Sequence, residues 1–306
     1  MHTLIAVDVS KDSLQIQTKT KGWVVENNTN GLAKLIGRIS KMENPFVICE
    51  ATGGYERALV NAMQEKSVPV CRLNPRRVRA FAASEGVKAK TDPIDAMMIL
   101  KFSREKDLQP LDPVSKEHRQ LRALLDRRSH LTEMIAREKT RLKNSDELIH
   151  ASIAHVIRIV NEELKEIEKQ IRNVIGEHLY LKERLDVMTA IIGVGEVTAW
   201  TVLGYLGELE KIGRNQTVAL VGLAPFNRDS GKFSGKRRII GGRAKVRKAL
   251  YMAAQTASIH NPVIKPYFEG LVDRGKPYKC AMVAAMRKLL IHIRSELINM
   301  NSGVAI

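Results

Sequence analysis

The run Leu4-Ile5-Ala6-Val7 has the length of a strand and ends on a carboxylate, Asp8. A polar turn, Ser10-Lys11-Asp12, follows, and Leu14 and Ile16 then alternate with Gln15 and Gln17 as in a half-buried strand. This pattern predicts a β-hairpin, with Asp8 where the first strand leaves the core. Leu32, Leu35, Ile36 and Ile39 recur at helical spacing, predicting a helix over Leu32–Met42 capped by Asn30. Pro45–Cys49 is continuously apolar, as a strand covered on both faces should be, and it ends at Glu50. The turn Ala51–Tyr55 leads into a predicted helix over Glu56–Lys66. Val68–Leu73 reads as another short strand, with Pro69 at its start or on a sheet edge. Asn74-Pro75 opens a helix, and Thr91 or Asp92 caps a further one with Pro93 in its first turn. Residues 1–110 therefore read as an α/β domain.

The period changes after that. Across residues 111–182 glycine is absent until Gly176, and apolar residues recur at helical spacing: Leu121, Leu125, Leu131, Ile135 and Leu142, then Leu164, Ile167, Ile171 and Val174. The second set has the seam spacing of a coiled coil. The stretch reads as a long helical hairpin or dimerising coil interrupted near Asn144-Ser145-Asp146, with an ordinary packed helix pair as the equal alternative. Residues 183–306 read as an all-α domain. Ile191-Ile192-Gly193-Val194-Gly195 has the pattern of a helix-hairpin-helix turn, where glycine lets backbone N–H groups approach a phosphate or simply lets two helices meet. Further helices are predicted over Ala244–Ser258 and Ala281–Asn299.

Composition narrows the partners. The 306 residues carry a formal net charge of +17, which favours a polyanion, nucleic acid before an anionic membrane surface. Between Lys211 and Lys248 stand eleven Lys or Arg against one acid, Asp229. The basic residues expected at a nucleic-acid surface are Arg76, Arg77, Arg79, Lys90, Arg228, Lys232, Lys236, Arg237, Arg238, Arg243, Lys245 and Arg247. No apolar run is long enough to span a bilayer, and the N-terminus enters a strand without an export signal, so a cytoplasmic, nucleoid-associated protein is expected. Cys49, Cys71 and Cys280 lack metal-ligand spacing and read as reduced thiols.

Four acids carry the candidate chemistry. Asp8 and Glu50 end strands, on the sheet edge where ligands of open α/β folds bind. Asp92 and Asp95 are three apart at a helix start and share a face. Singly, each reads as a solvated acid or a helix-terminal acid. As an ordered set they suit a hard cation such as Mg²⁺. Two such ions roughly 4 Å apart serve phosphodiester chemistry. In the basic C-terminal stretch, Ser230 before Gly231 combines a mobile backbone with nearby cations, as a phosphate-attacking hydroxyl requires. The same pattern also fits an ordinary turn serine.

These segments carry a resemblance. IAVDVSK around Asp8, CEATGGYE at Glu50, KTDPIDA at Asp92 and Asp95, and GLAPFNRDSGKFSGKRRIIGGRAKVRKALYM around Ser230 resemble transposases of the insertion-sequence one-ten family, eleven-eleven subgroup, also described as bridge-RNA-guided serine recombinases. The resemblance spans nearly the whole chain. It implies a RuvC-like ribonuclease-H fold in the first domain, with Asp8, Glu50, Asp92 and Asp95 as a DEDD set holding Mg²⁺. It also implies Ser230 as nucleophile (Ser234 if the match slips), donor and target DNA as substrates, a structured guide RNA, and a dimer that assembles into a tetramer. Two other readings stand beside it. One is a metal-dependent endonuclease of the Holliday-junction type using the four acids alone; the other is a non-catalytic nucleic-acid-binding protein. The sugar-kinase and actin-like ATPases are discounted, because no Gly-rich phosphate loop follows at the required spacing.

Overall fold

The computed structural model describes residues 2–87, 91–226, 238–239 and 241–302, which form two compact units, 1–114 and 115–306. In the first unit, β1 (Thr3–Val9), β2 (Ser13–Gln17), β3 (Gly22–Glu26), β4 (Pro45–Glu50) and β5 (Val70–Leu73) form one mixed sheet. Its order is β3-β2-β1-β4-β5. β1 runs antiparallel to β2 and parallel to β4, and β5 continues the parallel side. The hairpin expected around Asp8 is present. β3, which sequence periodicity did not single out, extends it as the edge strand, where only Val25 is buried.

Strand alternation sorts the apolar residues onto two faces. Ile5, Val7 and Val9 of β1 join Val47 and Cys49 of β4 against α1 (Thr29–Ile39) and α2 (Arg57–Glu65). Ala6, Phe46 and Ile48 face the other way, toward α3 (Pro75–Ser84) and α4 (Asp92–Glu105). Cys49 and Cys71 lie in opposite cores, so these buried thiols are no disulfide pair. Several boundaries shift. The α1 cap is Asn28, whose side chain accepts from the Gly31 N–H, two residues before the expected Asn30. β5 begins at Val70, after Pro69.

In the second unit, α5 (Lys116–Lys143) and α6 (His150–Gly176) pair as an antiparallel hairpin. Arg128 joins Glu168 at 2.8 Å across it. Leu121, Leu125, Leu131 and Ile135 pack with Ile167, Ile171 and Ile175 inside one continuous core. The apolar seam is thus closed within the chain. That core continues through α7 (Leu179–Thr189), α8 (Glu196–Tyr205), α9 (Arg214–Val221), α10 (Ala244–His260), α11 (Ile264–Asp273) and α12 (Tyr278–Asn301). α10 and α12 run two or three residues beyond the expected Ser258, Ala281 and Asn299 ends. β6 (Pro225–Phe226) pairs antiparallel with β7 (Arg238–Ile239). Among the described residues no helix is long and apolar enough to cross a membrane.

The Gly193 turn between α7 and α8 is a packing device. Its φ is +99°, and a Cβ there would stand 2.7 Å from Ala257 Cβ of α10. Asn261 donates to the Ile192 carbonyl at 2.9 Å and closes the turn onto the end of α10. Gly193→Ala should therefore destabilise the second unit by about 2–4 kcal/mol through strain and overpacking. Gly37→Ala, in an open position of α1, should stabilise by roughly 0.5–1 kcal/mol. Urea denaturation of both variants checks the contrast.

Candidate active site

Asp8 sits near the end of β1 on the Ala6 side, and the register that sets Val7 against Cys49 brings Glu50 level with it on the adjacent parallel strand. α4 packs against β1, β2 and β4 through Met98, Ile99, Leu100 and Phe102. That packing aims the first turn of α4, with Asp92 and Asp95, at the same strand ends. Thr91 is the N-cap with extended backbone; its carbonyl, not its side chain, starts the helix by accepting from Asp95 N–H at 2.9 Å.

The electrostatics record this convergence. The Asp8 carboxyl is pushed up to about 6, first by its burial and then by the charges of Asp95, Asp92 and Glu50, against a weaker opposing hydrogen bond from Val9. Three acids from two elements, α4 and β4, therefore act on a fourth in β1. Among the described residues, no three His, Cys, Asp or Glu side chains stand close enough to enclose an ion. Carboxylate oxygens acting together on one half-buried point are the donors a hard divalent cation takes, so the donor chemistry fits such an ion. Asp8, Glu50, Asp92 and Asp95 are the residues that would hold it.

The loops carrying Asp8 and Glu50 are braced by residues that sequence periodicity did not single out. Glu56, only 4% exposed, accepts from the Thr52 N–H at 3.0 Å and the Gly54 N–H at 2.9 Å, and pairs with Arg72 at 3.4 Å. Burial alone would raise its pKa, but the backbone N–H bonds and Arg72 outweigh that and hold it below the usual carboxylate value. Asn27 Nδ2 donates to the Ser10 carbonyl at 2.8 Å and to the Tyr55 carbonyl at 3.3 Å, tying the loop after β1 to the turn after β4. A Glu just after the turn that follows Glu50, with an Arg at the exposed position of the next strand, is the sequence trace of this bracing.

The basic residues divide. Arg76 and Arg79 on α3 are exposed, while Arg77 stacks over Phe102 at 5.3 Å. Arg243 engages the Tyr205 carbonyl and Glu208. Lys245 binds Asp126 at 2.5 Å and the Tyr205 hydroxyl at 3.1 Å. Arg247 donates to the carbonyls of Val221 at 2.9 Å and Gly241 at 2.6 Å. These three, expected at a phosphate surface, are held in contacts within the second unit. Lys90, Arg228, Ser230, Lys232, Ser234, Lys236 and Arg237 lie outside the described residues, and Arg238 is described only as backbone in β7.

Because the folded-state value of Asp8 lies above the ordinary 3.8, the folded chain holds that proton more tightly, and ionisation costs stability as pH rises from 3.8 through about 6. Without divalent cations, Asp8→Asn should stabilise the protein above pH 6, by at most about 3 kcal/mol. The gain should shrink to a small fraction by pH 4, close to the ordinary 3.8, and disappear below it as both states become protonated. Thermal melting in chelator from pH 4 to 8 checks this, and a gain unchanged at pH 4 would assign the effect to packing instead of charge.

Residues 5–145 match a family model described as Transposase, and residues 185–269 match one described as Transposase IS116/IS110/IS902 family. Two curated relatives are 27% identical over 300 residues, covering 94% of this chain and 93% of theirs: the pilin gene-inverting proteins of Moraxella lacunata and Moraxella bovis. Among solved structures, T. thermophilus RuvC in complex with a Holliday junction substrate covers 36% of this chain and 99% of its own at 15% identity, with a TM-score of 0.28. The first match takes in Asp8, Glu50, Asp92 and Asp95, and the second takes in Ser230. The chain thus matches, in order, two transposase family models, the second of them described as the IS116/IS110/IS902 family.

Proposed function

We propose that this chain is a DNA recombinase that cuts and rejoins donor and target strands, with a RuvC-like first unit and Ser230 as the attacking hydroxyl. The observation that carries the reading is the action of Asp95, Asp92 and Glu50 on the half-buried Asp8 carboxyl. The order of the two transposase matches supports it, as does full-length similarity to relatives named for gene inversion.

In this mechanism Ser230 Oγ attacks a backbone phosphorus, its proton is lost, and the displaced sugar oxygen leaves as a hydroxyl. The phosphoserine diester retains the bond energy of the broken linkage. A hydroxyl from the partner strand then attacks the same phosphorus and releases Ser230, so no external energy source is needed. The four carboxylates would hold Mg²⁺, which would supply positive charge to stabilise a phosphodiester undergoing attack. The basic residues flanking Ser230, namely Arg228, Lys232, Lys236, Arg237 and Arg238, supply further positive charge along the same stretch. A structured guide RNA that pairs with both DNAs supplies sequence choice, and dimers joining into a tetramer bring the strands together. These two features rest on the resemblance of the segments around Asp8, Glu50, Asp92 and Ser230 to that family.

Ser230→Ala should abolish both strand exchange and the covalent protein–DNA adduct, while Asp8→Asn should reduce exchange by at least about 100-fold. An exchange assay on paired donor and target DNA, with denaturing gels for the adduct, reads both. Exchange retained by Ser230→Ala would contradict the serine mechanism. Nicking by the wild type without exchange or adduct would mark a metal-dependent endonuclease.

A further inference from the structure

Asp8 and Glu50 stand level near the ends of two paired parallel strands, each of which runs into a turn. The geometry of a cation site on these acids depends on how the turns that follow them are held. The chain after β4 turns through Ala51–Tyr55, and the apex of this turn rests on Glu56. One oxygen of Glu56 accepts both the Thr52 N–H, at 3.0 Å, and the Gly54 N–H, at 2.9 Å. The other meets Arg72 of the neighbouring β5 at 3.4 Å. Thr52 Oγ in turn donates to the Glu50 carbonyl at 3.2 Å, and Ala51 N–H bonds the Leu73 carbonyl at 3.1 Å. Glu50 is therefore anchored on both sides of its own peptide. Asn27 completes the brace by donating from one amide nitrogen to Ser10, two residues after Asp8, and to Tyr55 at the end of the Glu50 turn. Its backbone N–H also bonds the Asp12 carbonyl at 2.9 Å.

Burying a carboxylate costs stability unless the bonds it makes compensate. Glu56 is nearly fully buried, makes no bond to an acid of the site, and uses its oxygens on the turn and on Arg72. We infer that Glu56 and Asn27 are positioning residues that set the separation of Asp8 and Glu50, and so determine how tightly the site takes a divalent cation. This inference rests on the four-acid reading above. Ligand orientation by such outer partners typically governs cation affinity by one to two orders of magnitude.

The test is the dependence of melting temperature on Mn²⁺ concentration in the full chain, compared for wild type, Glu56→Ala, Glu56→Gln and Asn27→Ala. Wild type should show a saturable rise. Glu56→Ala should need about 10-fold more Mn²⁺ for half the effect, and Glu56→Gln, which keeps an oxygen for the two N–H groups, should recover to within about threefold. A merely structural role would lower melting at every Mn²⁺ concentration and leave the half-saturation point where it is. Should Glu56→Ala fail to fold, Asn27→Ala carries the test and is expected to need more Mn²⁺ in the same way. Folded variants with wild-type half-saturation would overturn the positioning role alone. A wild-type melting curve indifferent to Mn²⁺ would overturn the four-acid reading, and this inference with it.

Discussion

The half-buried Asp8 carboxyl near the end of β1, raised by burial and by Asp95, Asp92 and Glu50, is the constraint on which the first unit turns. A half-buried Asp8 acted on by Asp95, Asp92 and Glu50 is an arrangement that folding energy alone does not favour. The chain maintains it with rigid parts: parallel pairing of β1 with β4, an apolar α4 seated across both strands, and hydrogen-bonded turns after each acid. Packing supplies the stability that the charges remove. Two apolar layers, one on each face of the sheet, enclose the strands up to the point where the acids begin.

Much of this first unit was legible along the chain. Alternation marked the hairpin, continuous apolar runs marked β4 and β5, and Asn74-Pro75 and Thr91 through Pro93 marked helix starts, because each depends on residues close in sequence. β3 was not singled out, since as an edge strand it buries only Val25 and its period is faint. The α1 cap moved because Asn28, Thr29 and Asn30 all suit a helix start, and only backbone conformation distinguishes them: Asn28 is extended and reaches Gly31. The acids were visible as strand-end and helix-start residues. The bracing by Glu56 and Asn27 was not, because its value lies in bonds to backbone groups of separate loops.

The second unit shows where local reading runs out. Arg243, Lys245 and Arg247 stand in a strongly basic stretch and look like phosphate contacts. Their partners are distant in sequence: Lys245 meets Asp126, 119 residues away, and Arg243 meets Glu208. Ion pairs and carbonyl contacts of this kind hold the start of α10 to α5 and to the segments after α8 and α9. They leave fewer donors for phosphate than the count of charges implies. The seam of α5 and α6 has a similar lesson. Its spacing allows pairing within one chain or between two, and the fold closes it within one, against the same core that holds Trp200 and Leu203.

The central claim is that Asp8, Glu50, Asp92 and Asp95 share a divalent cation. Anomalous diffraction from crystals of the full chain grown with Mn²⁺ tests it most directly. The account predicts an anomalous peak within oxygen–metal bonding distance, about 2–2.5 Å, of Asp8 and at least two of the other three carboxylates. A saturated crystal with no peak there, and with Asp8 instead paired to a lysine or arginine, would contradict it.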